Sequence, residues 1–161
     1  MLAAVDIALL RLMRTRGHAP PFERAVASFS KLGEHGALWL ALGLGGAALD
    51  RERRPAFLHA ARTVALAFGA NQAIKLVVRR RRPELDGLPP VVDTLSNRSY
   101  PSAHAATSAA GARVLAPLLP HAPLYATAVL LALSRPYLGV HYPSDTLAGA
   151  ALGLAVAELD R

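Results

Sequence analysis

The sequence predicts an all-α protein built as one domain. Three observations point there. Hydrophobic residues make up 53% of the 161 and charged residues only 18%, against about 25% charged in an average soluble domain. The apolar residues fall in runs, and nothing alternates with period two for long. Prolines and glycines divide those runs at places that suit helix ends. The length leaves little room for a second domain.

Each element follows from local signals. Leu2, Val5, Leu9 and Leu12 recur on one helical face, and Arg11, Arg14 and Arg16 follow them. Met1–Leu12 is therefore an amphipathic helix, either lying on a membrane surface or docking on the rest of the chain. Asp6 and Arg11 interrupt it, and no small-residue cleavage site follows, so it does not read as a signal peptide. His18–Pro21 breaks the chain before a second short helix, Phe22–Leu32. Gly33 and Gly36 bracket Glu34 and His35 before the uncharged run Ala37–Leu49. Asp50–Pro55 is a charged turn. The next helix is expected over Ala56–Arg81, stopped by Pro83. Pro83–Ser99, with Pro89, Pro90 and Gly87, reads as a loop. Three more helices are expected over Pro101–Leu118, Ala122–Ser134 and Pro143–Glu158. The domain then divides into N-terminal amphipathic helices, residues 1–32, and a helical bundle, residues 37–161.

The apolar runs bear on the membrane. Ala37–Leu49, Thr63–Ile74 and Thr146–Ala157 carry no charge, and neither does Val114–Ser134, although three prolines punctuate it. A single span needs roughly 20 mostly apolar residues, so most runs fall short unless their flanks are included. A soluble helical core and a membrane bundle both fit. Alanine and glycine dominate the runs, and such small residues let helices approach closely in a bilayer. With no Cys, disulfides, thiolate metal sites and Cys nucleophiles are excluded. The net charge of +7 suits anionic partners, but aromatics are only 6% and no nucleic-acid motif accompanies the charge.

Several residues carry candidate chemistry. Lys75 and Arg82 stand seven apart, about two helical turns, and so are expected on one helix face. Arg79–Arg82 is a run of four arginines, which by itself reads as a surface patch. Tyr100-Pro101-Ser102 and Tyr142-Pro143-Ser144 each place proline where a first helical residue belongs. A helix start offers free N–H groups to an anion, so two of them on one side of a bundle can form the walls of an anion site. His104 falls on the first turn of the first of these helices. Asp145 falls in the first turn of the second, four residues after His141. There it either reaches back to the His141 imidazole or merely complements the helix dipole.

The order Lys75-x6-Arg82-Pro83, then Pro101-Ser102-Ala103-His104, then Ser134-Arg135-x5-His141-x3-Asp145 resembles the three-part signature of the type 2 phosphatidic acid phosphatase family. It covers slightly under half of the chain. Ala103 stands where that family most often has glycine. The family includes vanadium haloperoxidases, so the resemblance implies a PAP2/haloperoxidase-like bundle, here with about five to six helices crossing or entering the membrane. It also implies a multi-pass location in the cell membrane.

The resemblance implies roles as well. His141 is the expected nucleophile and forms a phosphohistidine, Asp145 orients it, and His104 is the general acid and then base. Lys75, Arg82 and Arg135 bind phosphate oxygens, with Ser102 and the Ala103 N–H adding hydrogen bonds. Three cations on one phosphoryl group supply what a divalent ion supplies elsewhere, so no metal and no cofactor are expected. The expected partners are the membrane and a lipid phosphate, with no nucleic acid. The substrate classes are a polyprenyl phosphate or diphosphate, decaprenyl-phosphoryl-ribose phosphate, phosphatidic acid or phosphatidylglycerol phosphate. Ser30–Trp39 (SKLGEHGALW) is similar to small actinobacterial members, some of which act on decaprenyl-phosphoryl-ribose phosphate. Two alternatives stand beside a lipid phosphatase: a vanadate-dependent haloperoxidase, and a non-catalytic module binding anionic lipid through Arg79–Arg82.

Overall fold

A computed structural model describes residues 2–161, so the expected helix start at Met1 lies outside it. Seven α-helices follow in order: α1 (Leu2–Thr15), α2 (Pro20–Lys31), α3 (Ala37–Leu49), α4 (Arg54–Val78), α5 (Ala103–Leu115), α6 (His121–Tyr137) and α7 (Pro143–Leu159). A 3-10 turn, Glu34–Gly36, joins the α2 end to α3. Among the described residues there is no strand, only an isolated bridge between Arg81 and Arg98.

Several helix ends differ from expectation. α4 stops at Val78 and not at Arg81, because Arg79 adopts a left-handed conformation (φ 53°). Its N–H donates to Lys75 O at 3.3 Å and its Nε to Leu76 O at 2.9 Å, which satisfies carbonyls the helix leaves free. α5 starts at Ala103, so Pro101 is not its first residue; Ser102 is the N-cap, with its Oγ accepting from Ala105 N at 3.5 Å. α5 ends at Leu115, ahead of Pro117, which has no N–H to continue the ladder. α6 runs on to Tyr137 and carries Pro136 in its last turn, where the missing N–H costs one bond rather than a break.

α5 is the hub, and it packs on α4, α6 and α7. Its sequence (AHAATSAAGARVL) is mostly small residues, so its neighbours come close. The closest approach is to α7. A Cβ on Gly149 would stand 2.3 Å from Ser102 O, and one on Gly153 2.1 Å from Ala106 O. Trp39 of α3 closes the other side, buried over Gly111 with its indole N–H donating to Ser108 Oγ at 2.9 Å. α1 docks with its polar side. Asp6, Leu10 and Arg14 are buried at i, i+4 and i+8, while Val5, Leu9 and Leu12 are exposed.

From α3 to α7 the helices alternate direction, and this sorts the loops. The α4 end, the α5 start, the α6 end and the α7 start meet at one end of the bundle. The Asp50–Pro55 turn and the α5–α6 connection meet at the other, where Arg53 Nη1 donates to Leu118 O at 3.2 Å. No helix among the described residues is both long and apolar enough to cross a membrane. α4 is the longest at 25 residues, and Arg54, His59, Arg62 and Lys75 interrupt it.

Gly153→Ala should lower stability by about 1–3 kcal/mol, the usual cost of overpacking. A thermal melt of the purified variant beside the wild-type protein checks this, and an unchanged midpoint would contradict the close α5–α7 approach.

Candidate active site

The end of the bundle where α4, α5, α6 and α7 meet holds a cavity of about 400 Å³. Lys75, Arg82, Ala103, His104, Arg135 and His141 all line it, although they come from three separate stretches of chain. Ser102 and Asp145 do not. Both are fully buried behind the wall, and Ser102 N donates to Asp145 O at 2.9 Å, tying the two helix starts together.

Lys75 and Arg82 do not share a helix face. Because α4 ends at Val78, Lys75 projects from its last turn, while Arg82 reaches the cavity from the following loop. That loop is pinned from both sides. Arg82 N donates to Asn97 O at 3.1 Å, Arg82 Nε to Ser96 O at 2.7 Å and Ser99 N to Arg80 O at 2.8 Å. Lys75 Nζ donates to Arg98 O at 3.2 Å. Arg82 Nη1 donates to Val140 O at 2.6 Å and stands 3.2 Å from His141 Nε2.

His141 sits in the α6–α7 loop and is 3% exposed. Its Nδ1 lies 3.6 Å from Asp145 Oδ2, an ion-pair separation rather than a hydrogen bond, and has no hydrogen-bond partner. Asp145 is held elsewhere: Oδ2 accepts from Tyr142 N at 2.9 Å and Oδ1 from Arg80 Nη1 at 2.8 Å. Burial pushes the His141 ring down to about 3; Asp145 opposes this, and the charges of Arg82, Arg135 and Lys75 reinforce it. The ring is therefore neutral near pH 7. With the Nδ1 proton facing the carboxylate, the Nε2 lone pair faces Arg82 and the cavity.

His104 and Arg135 share a partner that the motifs did not indicate. Ser30, in the last turn of α2, accepts from His104 Nε2 through its carbonyl at 3.0 Å and from Arg135 Nη1 through its hydroxyl at 2.8 Å. Ser134 Oγ also donates to Ser30 Oγ, at 2.9 Å. A carbonyl only accepts, so His104 Nε2 carries a proton and Nδ1 is the nitrogen left to exchange one. Gly33 allows the α2–α3 connection to close over this ring, since a Cβ there would stand 2.7 Å from His104 Cδ2. Glu34, His35, Gln72 and Asp93 also line the cavity beyond the cations. His35 is held left-handed (φ 53°) with its ring edge-on to Phe68.

A buried neutral imidazole, backed by a carboxylate and facing three clustered cations, is a site for an anionic group open to nucleophilic attack. A model of the PAP2 superfamily matches residues 56–159. The chain belongs to the PAP2 superfamily. It is 43% identical over 131 residues to decaprenylphosphoryl-5-phosphoribose phosphatase of Mycobacterium tuberculosis, covering 81% of this chain and 73% of that one. The protein of that name in Mycolicibacterium smegmatis is 38% identical over 145 residues, covering 89% and 80%. In fold, the chain is similar to a transmembrane PAP2 type phosphatidylglycerolphosphate phosphatase from Bacillus subtilis, with a TM-score of 0.81 at 24% identity over 99% of this chain and 84% of that one. Family and relatives together make this PAP2 protein a phosphatase.

The low His141 pKa has a stability consequence of definite sign. Below its ordinary value of 6.5 the unfolded chain takes up a proton that the folded chain refuses until about pH 3. Stability therefore falls as pH drops through that window. His141→Phe removes this contribution. Its thermal midpoint in detergent should fall less than that of the wild type between about pH 7 and about pH 4.5, and equal slopes would contradict the buried neutral ring.

Proposed function

We propose that this chain is a membrane lipid phosphatase that works through a phosphohistidine on His141. The observation that carries this reading is the convergence of Lys75, Arg82, Arg135 and His104 on the cavity that His141 Nε2 faces, with Arg82 Nη1 3.2 Å from that nitrogen. In the first step His141 Nε2 attacks phosphorus. The bond from phosphorus to the lipid-side oxygen breaks, and His104, having taken up a second proton on Nδ1 as the phosphate dianion binds, gives that proton to the oxygen, so an alcohol leaves. In the second step His104 takes a proton from water, the water oxygen attacks phosphorus, and the N–P bond breaks to release inorganic phosphate. Lys75, Arg82 and Arg135 hold the non-bridging oxygens as charge shifts among them. Asp145 supports the positive charge that His141 gains. No step calls for a metal ion.

Membrane embedding is supported by the outer surface. Leu44, Leu66, Leu130, Leu133, Leu147 and Leu154 are all exposed, on four different helices. Large apolar side chains exposed on four helices suit a lipid surround. α3 and α5, at 13 residues each, reach only about 20 Å, against a hydrocarbon core of about 30 Å. The bundle therefore enters the bilayer with some helices short of a full crossing, and the cavity opens at one face. Val5, Leu9 and Leu12 let α1 lie along that face. An apolar groove of about 360 Å³, lined in part by Phe29, Leu133 and Ser134, stands behind the Ser30–Ser134 pair and suits a hydrocarbon chain.

The names of the relatives suggest the substrate: a phosphomonoester on the sugar of a polyprenyl-phosphoryl sugar. Glu34, His35, Gln72 and Asp93 on the cavity wall offer hydrogen-bonding groups for sugar hydroxyls.

Detergent-solubilised protein with EDTA present should release phosphate from such a lipid in preference to phosphatidic acid, phosphatidylglycerol phosphate and polyprenyl diphosphate. His141→Ala should reduce release to background. Arg135→Lys should raise KM by about tenfold, because an ammonium cannot reproduce the planar guanidinium fork. Normal release by His141→Ala would sink the mechanism.

A further inference from the structure

Arg80 stands at an unspecified position between Lys75 and Arg82 of the three-part signature and does not line the cavity. Yet it is the most connected side chain behind it. Its Nη1 donates to Asp145 Oδ1 and to Ser144 Oγ, both at 2.8 Å, and its Nη2 donates to Asp6 Oδ2 at 2.7 Å. The guanidinium stacks on the Tyr142 ring, 3.9 Å from its centroid. Asp6 closes the cluster from α1, accepting from Ser144 N at 2.9 Å on Oδ1 and from the Ser144 hydroxyl on Oδ2. The Arg80 main chain is fixed as well, because its carbonyl accepts from Ser99 N at 2.8 Å.

We infer that Arg80 is a positioning residue for the reaction: it sets the rotamer and charge of Asp145 behind His141, and Asp6 of α1 sets Arg80. This rests on the proposed His141–Asp145 pair. Asp145 is fully buried, and a buried carboxylate must be paired. Its two oxygens divide the work. Oδ1 meets the guanidinium, which leaves Oδ2 at the Tyr142 N–H and 3.6 Å from His141 Nδ1. Without Arg80, nothing in the structure holds Oδ1, and the carboxylate is free to rotate away from the imidazole. A planar fork is needed because the two carboxylates lie on different nitrogens of one guanidinium. A lysine at this position reaches only one of them. The cluster also makes α1 part of the site, although no residue of α1 lies on the cavity.

The test uses the full-length protein in detergent and needs no lipid. Inorganic phosphate labelled with ¹⁸O exchanges oxygen with water when His141 attacks it: one phosphate oxygen leaves as water, and solvent water returns on hydrolysis of the N–P bond. The wild type should exchange and His141→Ala should not. Arg80→Met should slow exchange at saturating phosphate by about 10–100-fold, the scale of losing a partner behind an acting group. The half-saturating phosphate concentration should move by less than about threefold, because Arg80 does not touch the phosphate. Asp6→Asn should act in the same sense but more weakly. The decisive readout is the cycle with Asp145→Asn. The double variant Arg80→Met, Asp145→Asn should lie within about threefold of Asp145→Asn alone. If the two losses multiply, or if Arg80→Met raises the half-saturating concentration with turnover intact, the inference is wrong. Arg80→Lys carries the same cycle if Arg80→Met does not fold, as judged by its thermal melt. No exchange by the wild type would overturn the phosphohistidine reading and this inference with it. Exchange that depends on His141 but shows no coupling between Arg80 and Asp145 would overturn the inference alone.

Discussion

A single backbone hydrogen bond, Ser102 N to Asp145 O at 2.9 Å, ties the starts of α5 and α7 together. His104 follows Ser102 by two residues and His141 precedes Asp145 by four, so fixing these two points brings both imidazoles to one cavity. The bond is buried, and leaving such a pair unmade costs about 1–3 kcal/mol. It exists only because α7 approaches α5 without side chains between them. Gly149 sits directly on the Ser102 carbonyl, and Gly153 repeats the contact one turn later on Ala106. The small-residue composition of these helices is thus a requirement of the site as much as of the packing.

The electrostatics follow from how the cations are held. Lys75 is held by the Arg98 carbonyl, Arg82 by the carbonyls of Ser96 and Val140, and Arg135 by the Ser30 hydroxyl. Neutral acceptors fix position without cancelling charge. Asp145, the one fully buried carboxylate nearby, spends one oxygen on Arg80 behind the wall rather than on these three. The three cations outnumber the two carboxylates, Glu34 and Asp93, that share the cavity wall, and an anionic substrate would supply further negative charge in this sheltered setting. The same cations help keep His141 neutral, so in the proposed mechanism one arrangement serves both to bind the phosphate and to free the attacking nitrogen.

Much of this was legible in the sequence, for specific reasons. The helices announce themselves through apolar runs and through Pro55 and Pro143, and six of the eight expected site residues line one cavity. The remaining two, Ser102 and Asp145, stand behind it. Other features were hidden because they depend on contacts across long sequence separations. Ser30 meets His104 and Arg135 from 74 and 105 residues away, and Asp6 meets Arg80 from 74. Within the run Arg79–Arg82, composition suggested four equivalent surface charges. The left-handed turn at Arg79 gives them separate fates, sending Arg80 to Asp145 and Arg82 to His141. The same turn removes the helix face that a spacing of seven had suggested for Lys75 and Arg82. Five to six helices crossing or entering the membrane were expected from the family resemblance, yet no helix among the described residues is both long and apolar enough to cross one, and two have only 13 residues.

The most direct test of the proposed chemistry is to find the covalent intermediate. Rapid mixing with a ³²P-labelled substrate, quenching in base and mapping the label by mass spectrometry locates the phosphoryl group. The mechanism predicts acid-labile, base-stable label on the peptide that contains His141, and loss of that label during a chase with unlabelled substrate. Label on Ser102 or His104, or turnover with no trapped label at any quench time, would contradict it.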